Sequence, residues 1–270
     1  MQLLRDADRD RYLATLYAPA EKRGALFALY AFNAEIAGIR DKIREPMAGE
    51  IRLQWWRDAL SAGTAEAAAG HPVASALVAA IDAHGLPVQA LQNMIDARVF
   101  DLYDDPMPTR GDLEGYCGET ASALIQLAAL VIDPQSAASV SNLAGHAGCA
   151  QAVTGLLRLL PLHRARGQCF VPLDLLSAAG SSREEWMLGA ASAENDRTYA
   201  AMTALTREHL QKFREDAKVL PVALRAAFLP FALTPAYLDR LEQAGQCAPA
   251  DIANWRRHWL LFRHATHGWR

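Results

Sequence analysis

The sequence predicts an all-α protein. Three observations carry that expectation. Alanine and leucine dominate the chain, strand-like alternation is nearly absent, and apolar residues recur at three- and four-residue steps in segments closed by glycine or proline. In order, residues 8–17 read as a first helix stopped before Pro19. Residues 21–45 read as one long helix with Leu26, Leu29, Ile36 and Ile43 as its apolar stripe. Pro46 ends it, because the residue before a proline is pushed out of the α region. Asn33 and Arg40 fall on the same stripe. A polar group on the buried side of a helix needs a partner or a cavity. Either this helix walls a polar cavity, or both side chains reach the edge of the face.

Further helices are expected at 48–62, closed by Gly63, at 72–84, closed by Gly85, and at 87–103, stopped before Pro106. Residues 112–132 form a sixth, with DPQS as the turn, and residues 136–160 a seventh, ended near Pro161. GQCFVPLDLL reads as an irregular link. SSREE, from Ser181, is a capping signal for a short helix. Residues 193–218, 222–231, 235–244 and 250–264 complete the chain. No internal repeat or low-complexity segment occurs, so residues 1–270 are expected to form a single domain.

Composition excludes several function classes. The chain is 51% hydrophobic and 21% charged with net charge −3, which gives no prior for nucleic acid, a partner that usually needs a basic face. Cys117, Cys149, Cys169 and Cys247 lie far apart with no Cys-x-x-Cys pair, as expected of reduced, mostly buried thiols. No run of 18 apolar residues is present, so no transmembrane segment is expected, and MQLLRDADRDRY has the pattern of neither a signal nor a transit peptide. A cytoplasmic protein is the expectation. No Gly-rich phosphate loop occurs, and Ser177, Ser181 and Ser182 lack a nucleophile motif.

YAFNAEIAGIRD resembles the first signature of the squalene/phytoene synthase family, in which a Tyr-Ala-Phe run precedes an aspartate-rich motif. Other segments are similar to the family as well: YLATLYAP with KRGALFALYAF, ARVFDLYDD with Asp101 and Leu102, DLEGYCGETASAL with Tyr116, Cys117 and Ala121, and GLLRLLPLHRARGQCFVPLDLL. Together they cover roughly residues 10–262. The resemblance implies a helical bundle of the isoprenoid synthase type, in which two prenyl diphosphates meet in a central cavity and are joined head to head.

That chemistry ionises an allylic diphosphate. Magnesium neutralises the leaving group, held by carboxylates four residues apart on two facing helices. The resemblance places those acids at Ala37, Gly38 and Asp41 on the first helix and at Leu159 and His163 on the second, with an asparagine at Gly155. Only Asp41 is an acid. No catalytic residue or cofactor is therefore expected, and magnesium only if the acids have moved. Asp41 with Glu45 is one shifted pair, disfavoured by the helix dipole at a C-terminus. Asp101, Asp104 and Asp105 would share a face if their helix ran on, and are weak metal candidates. The plainer expectation is a structural Asp101 beside a solvated helix end. His163 has no histidine at ligand spacing. Asn33, Arg40, Asp41, Tyr116 and Arg158 are the expected ligand-binding residues. Arg23, Arg40, Arg44, Arg158, Arg164 and Arg166 either line an anion-accepting mouth or are surface arginines.

QWWRDAL and GLLRLLP resemble the non-catalytic branch of the family, which includes respiratory complex I assembly factors and their α-proteobacterial counterparts. The resemblance implies a pseudoenzyme that binds an isoprenoid, a prenyl diphosphate or a protein partner at the inner membrane. The alternative is an active magnesium-dependent transferase with relocated acids. A scaffold whose cavity is plugged by Leu159 is a third reading. Trp55 and Trp56, being adjacent, should point to different faces. The tail, NWRRHWLLFRHATHGWR, is expected to dock on the bundle with a basic outer side or to lie on a membrane surface.

Overall fold

A computed structural model describes residues 1–64, 66, 68–246 and 251–269, and these form helices and turns with no strand among the described residues. Cys247 and Ala250, the expected first residue of the last helix, lie outside them. The first half of the chain holds α1 (Gln2–Ala7), α2 (Arg9–Thr15), α3 (Arg23–Ala37), α4 (Pro46–Ala62), α5 (Pro72–His84), α6 (Val88–Ala97), α7 (Arg110–Cys117) and α8 (Ala123–Ile132). The second half holds α9 (Pro134–Ala137), α10 (Ser141–Arg158), α11 (Leu160–Ala165), α12 (Leu173–Ala179), α13 (Arg183–Leu188), α14 (Ala193–Asp216), α15 (Arg225–Phe228), α16 (Thr234–Ala244) and α17 (Asn254–His267).

Several expected elements are shorter than the periodicity suggested. The long helix 21–45 ends at Ala37, capped by Gly38, whose N–H bonds the Ala34 carbonyl. A 3-10 turn, Arg40–Lys42, follows, and Ile43 is extended. Glycine is the poorest helix former after proline, and Pro46 turns out to start α4 rather than to stop α3. Asp41 and Glu45 are therefore not one turn apart on a helix. Likewise α6 ends at Ala97, Arg98–Leu102 is a 3-10 turn, and Tyr103 is extended, so Asp101, Asp104 and Asp105 share no helical face. The seventh helix is cut at both ends, and Pro161 sits in the first turn of α11 instead of only ending α10. α1 and α12 were not expected. The box at α13 is present, with Ser182 and Glu185 each bonding the other's backbone N–H.

The Arg110–Ile132 stretch is continuous and, at 23 residues, long and apolar enough to cross a membrane by length and composition. Its apolar side is spent inside the bundle: Leu124, Ile125, Leu127, Ala128 and Val131 are buried in the main core with Leu26, Leu29 and Phe32 of α3. Trp56 joins that core edge-on to Phe32 at 5.0 Å between ring centroids, whereas Trp55 remains partly exposed.

Between α7 and α8 the chain widens into a π-helical turn, Gly118–Ser122, a feature often found beside functional sites. α10 crosses it closely. The Ser122 hydroxyl donates to the Gly145 carbonyl at 3.0 Å, and a Cβ at Gly148 would land on the Ser122 backbone nitrogen and Cα. Gly148→Ala must therefore push the two helices apart, and is expected to cost about 2 kcal/mol. At roughly 2–4 °C per kcal/mol for a chain of this size, the midpoint falls by about 4–8 °C in a circular-dichroism melt. Gly145→Ala, where a Cβ meets nothing within 4 Å, is the control and should not fall. Equal midpoints for Gly148→Ala and the unaltered chain would refute this account of the crossing.

Candidate functional site

A cavity of about 1020 Å³ opens between the C-terminal end of α3, the π-turn after α7, the second half of α10, α11, and the N-terminal residues of α2. That exceeds the range of about 300–1,000 Å³ usual for small-molecule sites, so one long-chain ligand would fit. Asn33 and Ala37 reach it from α3, Arg40 and Asp41 from the following turn, and Gly155, Arg158, Leu159 and His163 from the opposite wall. The two family signatures thus face each other across one space. Most of their polar atoms are missing. A Cβ at Gly155 would meet nothing within 4 Å, and Leu159, half exposed at 50%, lines the cavity rather than plugging it. His163 is buried beside the Phe170 ring, 4.6 Å between centroids. Burial and the nearby Arg166 push its imidazole down to about 4, so it is neutral at pH 7.

The aspartates that do reach the cavity are all engaged. Among the described residues they are Asp6, Asp8, Asp10, Asp41, Asp101 and Asp251, and each is in an ion pair with an arginine. Asp41 is bonded by Arg166, which ties the turn after α3 to the turn after α11 across the mouth. Asp10 accepts from Arg257 Nε and from the Tyr237 hydroxyl, both at 2.6 Å. Arg257, buried, also holds Asp251 at 2.9 Å. Asp101 accepts from Arg98 at 3.0 Å and from the Tyr116 hydroxyl at 2.8 Å, and Arg98 donates to that hydroxyl at 2.6 Å. Burial pushes the Asp101 carboxyl up, while Arg98 pulls it back. Glu45, Asp104 and Asp105 are exposed and stand outside the cavity, so the relocated set does not converge there.

This donor set does not suit a magnesium cluster. Magnesium takes free carboxylate oxygens in near-octahedral array. Here alanine, glycine and leucine replace the ligands, and the remaining carboxylates are occupied by guanidinium groups. Among the described residues, no three His, Cys, Asp or Glu side chains are gathered as ligands.

Positive charge is more available. Eight arginines and lysines line the cavity against six aspartates. Arg40 Nε is buried with no protein partner, which leaves a donor for an anion. The Arg158 guanidinium lies 3.7 Å over the Tyr237 ring. Of the other arginines expected at a mouth, Arg166 is there, whereas Arg23, Arg44 and Arg164 are not. Arg23 caps the Ala18 carbonyl, and Arg164 holds the Trp186 carbonyl, each at 2.9 Å. Sequence reasoning missed Asp10, Arg11, Arg98 and Arg257. Arg257 had a signal, since it shares a helix face with the buried Leu261 at i+4.

The squalene/phytoene synthase family model matches residues 4–263. NADH dehydrogenase (ubiquinone) complex I, assembly factor 6, from Bos taurus is 30% identical over 243 residues, covering 90% of this chain and 73% of the bovine protein. The presqualene diphosphate synthase of Sinorhizobium fredii is 25% identical over 260 residues, covering 94% and 92%. Among solved structures, a dehydrosqualene synthase in complex with ligand superposes with a TM-score of 0.83 at 17% identity, covering 97% of this chain and 92% of that one. Squalene synthase HpnC from Alicyclobacillus acidocaldarius gives 0.75 at 20% identity, covering 90% and 91%. At such identities the structural likeness establishes the fold: a helical bundle of the isoprenoid synthase type.

Proposed function

This chain belongs to the squalene/phytoene synthase family, and from that premise we propose that it is a non-condensing member of assembly-factor type. In this reading it serves a protein partner of the respiratory complex I kind at the cytoplasmic side of the inner membrane. It keeps the ancestral cavity for an isoprenoid, such as a quinone tail or a prenyl chain with an anionic head. One observation carries the reading. The positions that would hold magnesium are Ala37, Gly38, Gly155, Leu159 and a buried neutral His163, and the one retained acid, Asp41, is paired with Arg166. The likeness to complex I assembly factor 6 supports the partner half of the reading.

Without a metal, the work of holding an anionic head falls to Arg40 and Arg158, with Asn33 as a neutral donor, while Leu156, Leu162 and Phe170 offer apolar wall to a chain. The test is a calorimetric titration of the pure protein with a farnesyl thiodiphosphate, with and without magnesium. The expected result is binding that magnesium changes less than about twofold and that Arg40→Ala weakens about tenfold, the worth of a hydrogen bond to a charged group. Heat seen only with magnesium would instead favour a working transferase, as in the presqualene diphosphate synthase relative. No heat in either case would leave the partner role without a lipid ligand.

A further inference from the structure

The last helix sits on the bundle with one face and leaves another bare. Leu261 and Arg257 of α17 are buried against a cluster that includes Ala14, Leu229, Leu233 and Tyr237. On the outside, Trp255, Trp259 and Phe262 follow at four- and three-residue steps and are 73%, 52% and 56% exposed. Large aromatic residues in water cost free energy, and a contiguous stripe of them marks an interaction surface. The helix carries no acid. Arg263 lies 5.4 Å over the Trp259 ring, and Arg256 flanks the stripe, its guanidinium 4.0 Å from Asp239. Asp239 is in turn held at 2.7 Å by Arg207.

We propose that this face of α17 docks on an anionic lipid bilayer. Charge and side-chain type together favour this occupant. Tryptophan, an apolar ring with one N–H, partitions to the headgroup boundary, and arginines beside it meet anionic headgroups. A partner protein matched to the same stripe would need its own acids at the flanks, whereas an anionic leaflet supplies negative charge at every register. The helix lies in the surface plane, with Trp255, Trp259 and Phe262 sunk to the headgroup level. The proposal is independent of the cavity and holds whichever ligand the cavity takes.

The test is sedimentation of the full chain with vesicles of phosphatidylcholine, alone or mixed with an equal part of phosphatidylglycerol. The expected result is partitioning at least about tenfold stronger on the anionic vesicles, the preference that two surface arginines confer, and weakened by salt. The variant Trp255→Ser with Trp259→Ser and Phe262→Ser changes exposed positions only. It should lower binding about tenfold or more, and Arg256→Glu with Arg263→Glu should remove the lipid preference. Quenching of tryptophan emission by lipids brominated on the acyl chains tests the unaltered protein without any variant. Absence of binding and quenching on anionic vesicles would overturn the proposal, as would full binding by the triple-serine variant. A dimer in sedimentation equilibrium that the triple variant dissolves would assign the face to a second copy and also overturn it.

Discussion

Asp101→Asn is expected to destabilise the fold by about 3–5 kcal/mol, the cost of breaking a buried ion pair from one side. Asparagine keeps the shape and can still accept from Tyr116. It leaves the Arg98 charge uncompensated at a site where both partners are nearly enclosed. Arginine cannot escape by losing its proton, and Arg98 Nε already lacks a partner. At roughly 2–4 °C per kcal/mol, the thermal midpoint should fall by about 6–20 °C. The apolar replacement Arg98→Met with Asp101→Leu and Tyr116→Phe should recover at least half of the loss, because no buried charge or hydroxyl is then orphaned. Both are read by denaturant unfolding. A loss under about 1 kcal/mol for Asp101→Asn would show that the pair is solvated and that the cavity wall is not closed there.

His163 gives the second large effect, through pH. Its folded value, about 4, lies below the ordinary 6.5. A histidine depressed in the folded state binds fewer protons there than in the unfolded chain. Its contribution is therefore whole above about pH 6.5 and is lost as the pH falls toward 4. The displacement corresponds to about 3 kcal/mol at 1.36 kcal/mol per unit. The unaltered protein should lose about that much more stability between pH 7 and pH 4 than His163→Leu, which has no proton to gain. Parallel stability curves for the two proteins would mean that His163 protonates freely in the fold. It would then titrate at the ordinary value and charge below about pH 6.5, so burial would not be holding it neutral.

These two residues also mark what the sequence could and could not disclose. Helix punctuation by glycine was readable: Gly63 and Gly85 each sit just past a helix in the left-handed conformation. The stripe of α3 carried Asn33 into the cavity wall as its polar exception suggested. The break at Gly38 was not readable, because one glycine inside a helical pattern costs only about 1 kcal/mol. What decided the break is tertiary: Arg40 and Asp41 turn to the cavity, and Asp41 meets Arg166, 125 positions away. Sequence separation likewise hid the second long-range pair of the cavity acids. Asp10 and Arg257 are 247 positions apart, and no local period reports on such a pair. The pairing of Arg98 with Asp101 is local, since i and i+3 meet on a helical turn, but the acids that follow at Asp104 and Asp105 give the same spacing a metal-like pattern.

The proposed function requires that the cavity no longer supports magnesium-dependent condensation. The most direct measurement incubates the purified full chain with labelled farnesyl or geranylgeranyl diphosphate and magnesium, then separates prenyl alcohols, condensed diphosphates and hydrocarbons. The expected result is no product above a protein-free control, with the substrate recovered intact. Magnesium-dependent formation of a head-to-head condensed product, abolished by Asp41→Asn, would contradict it.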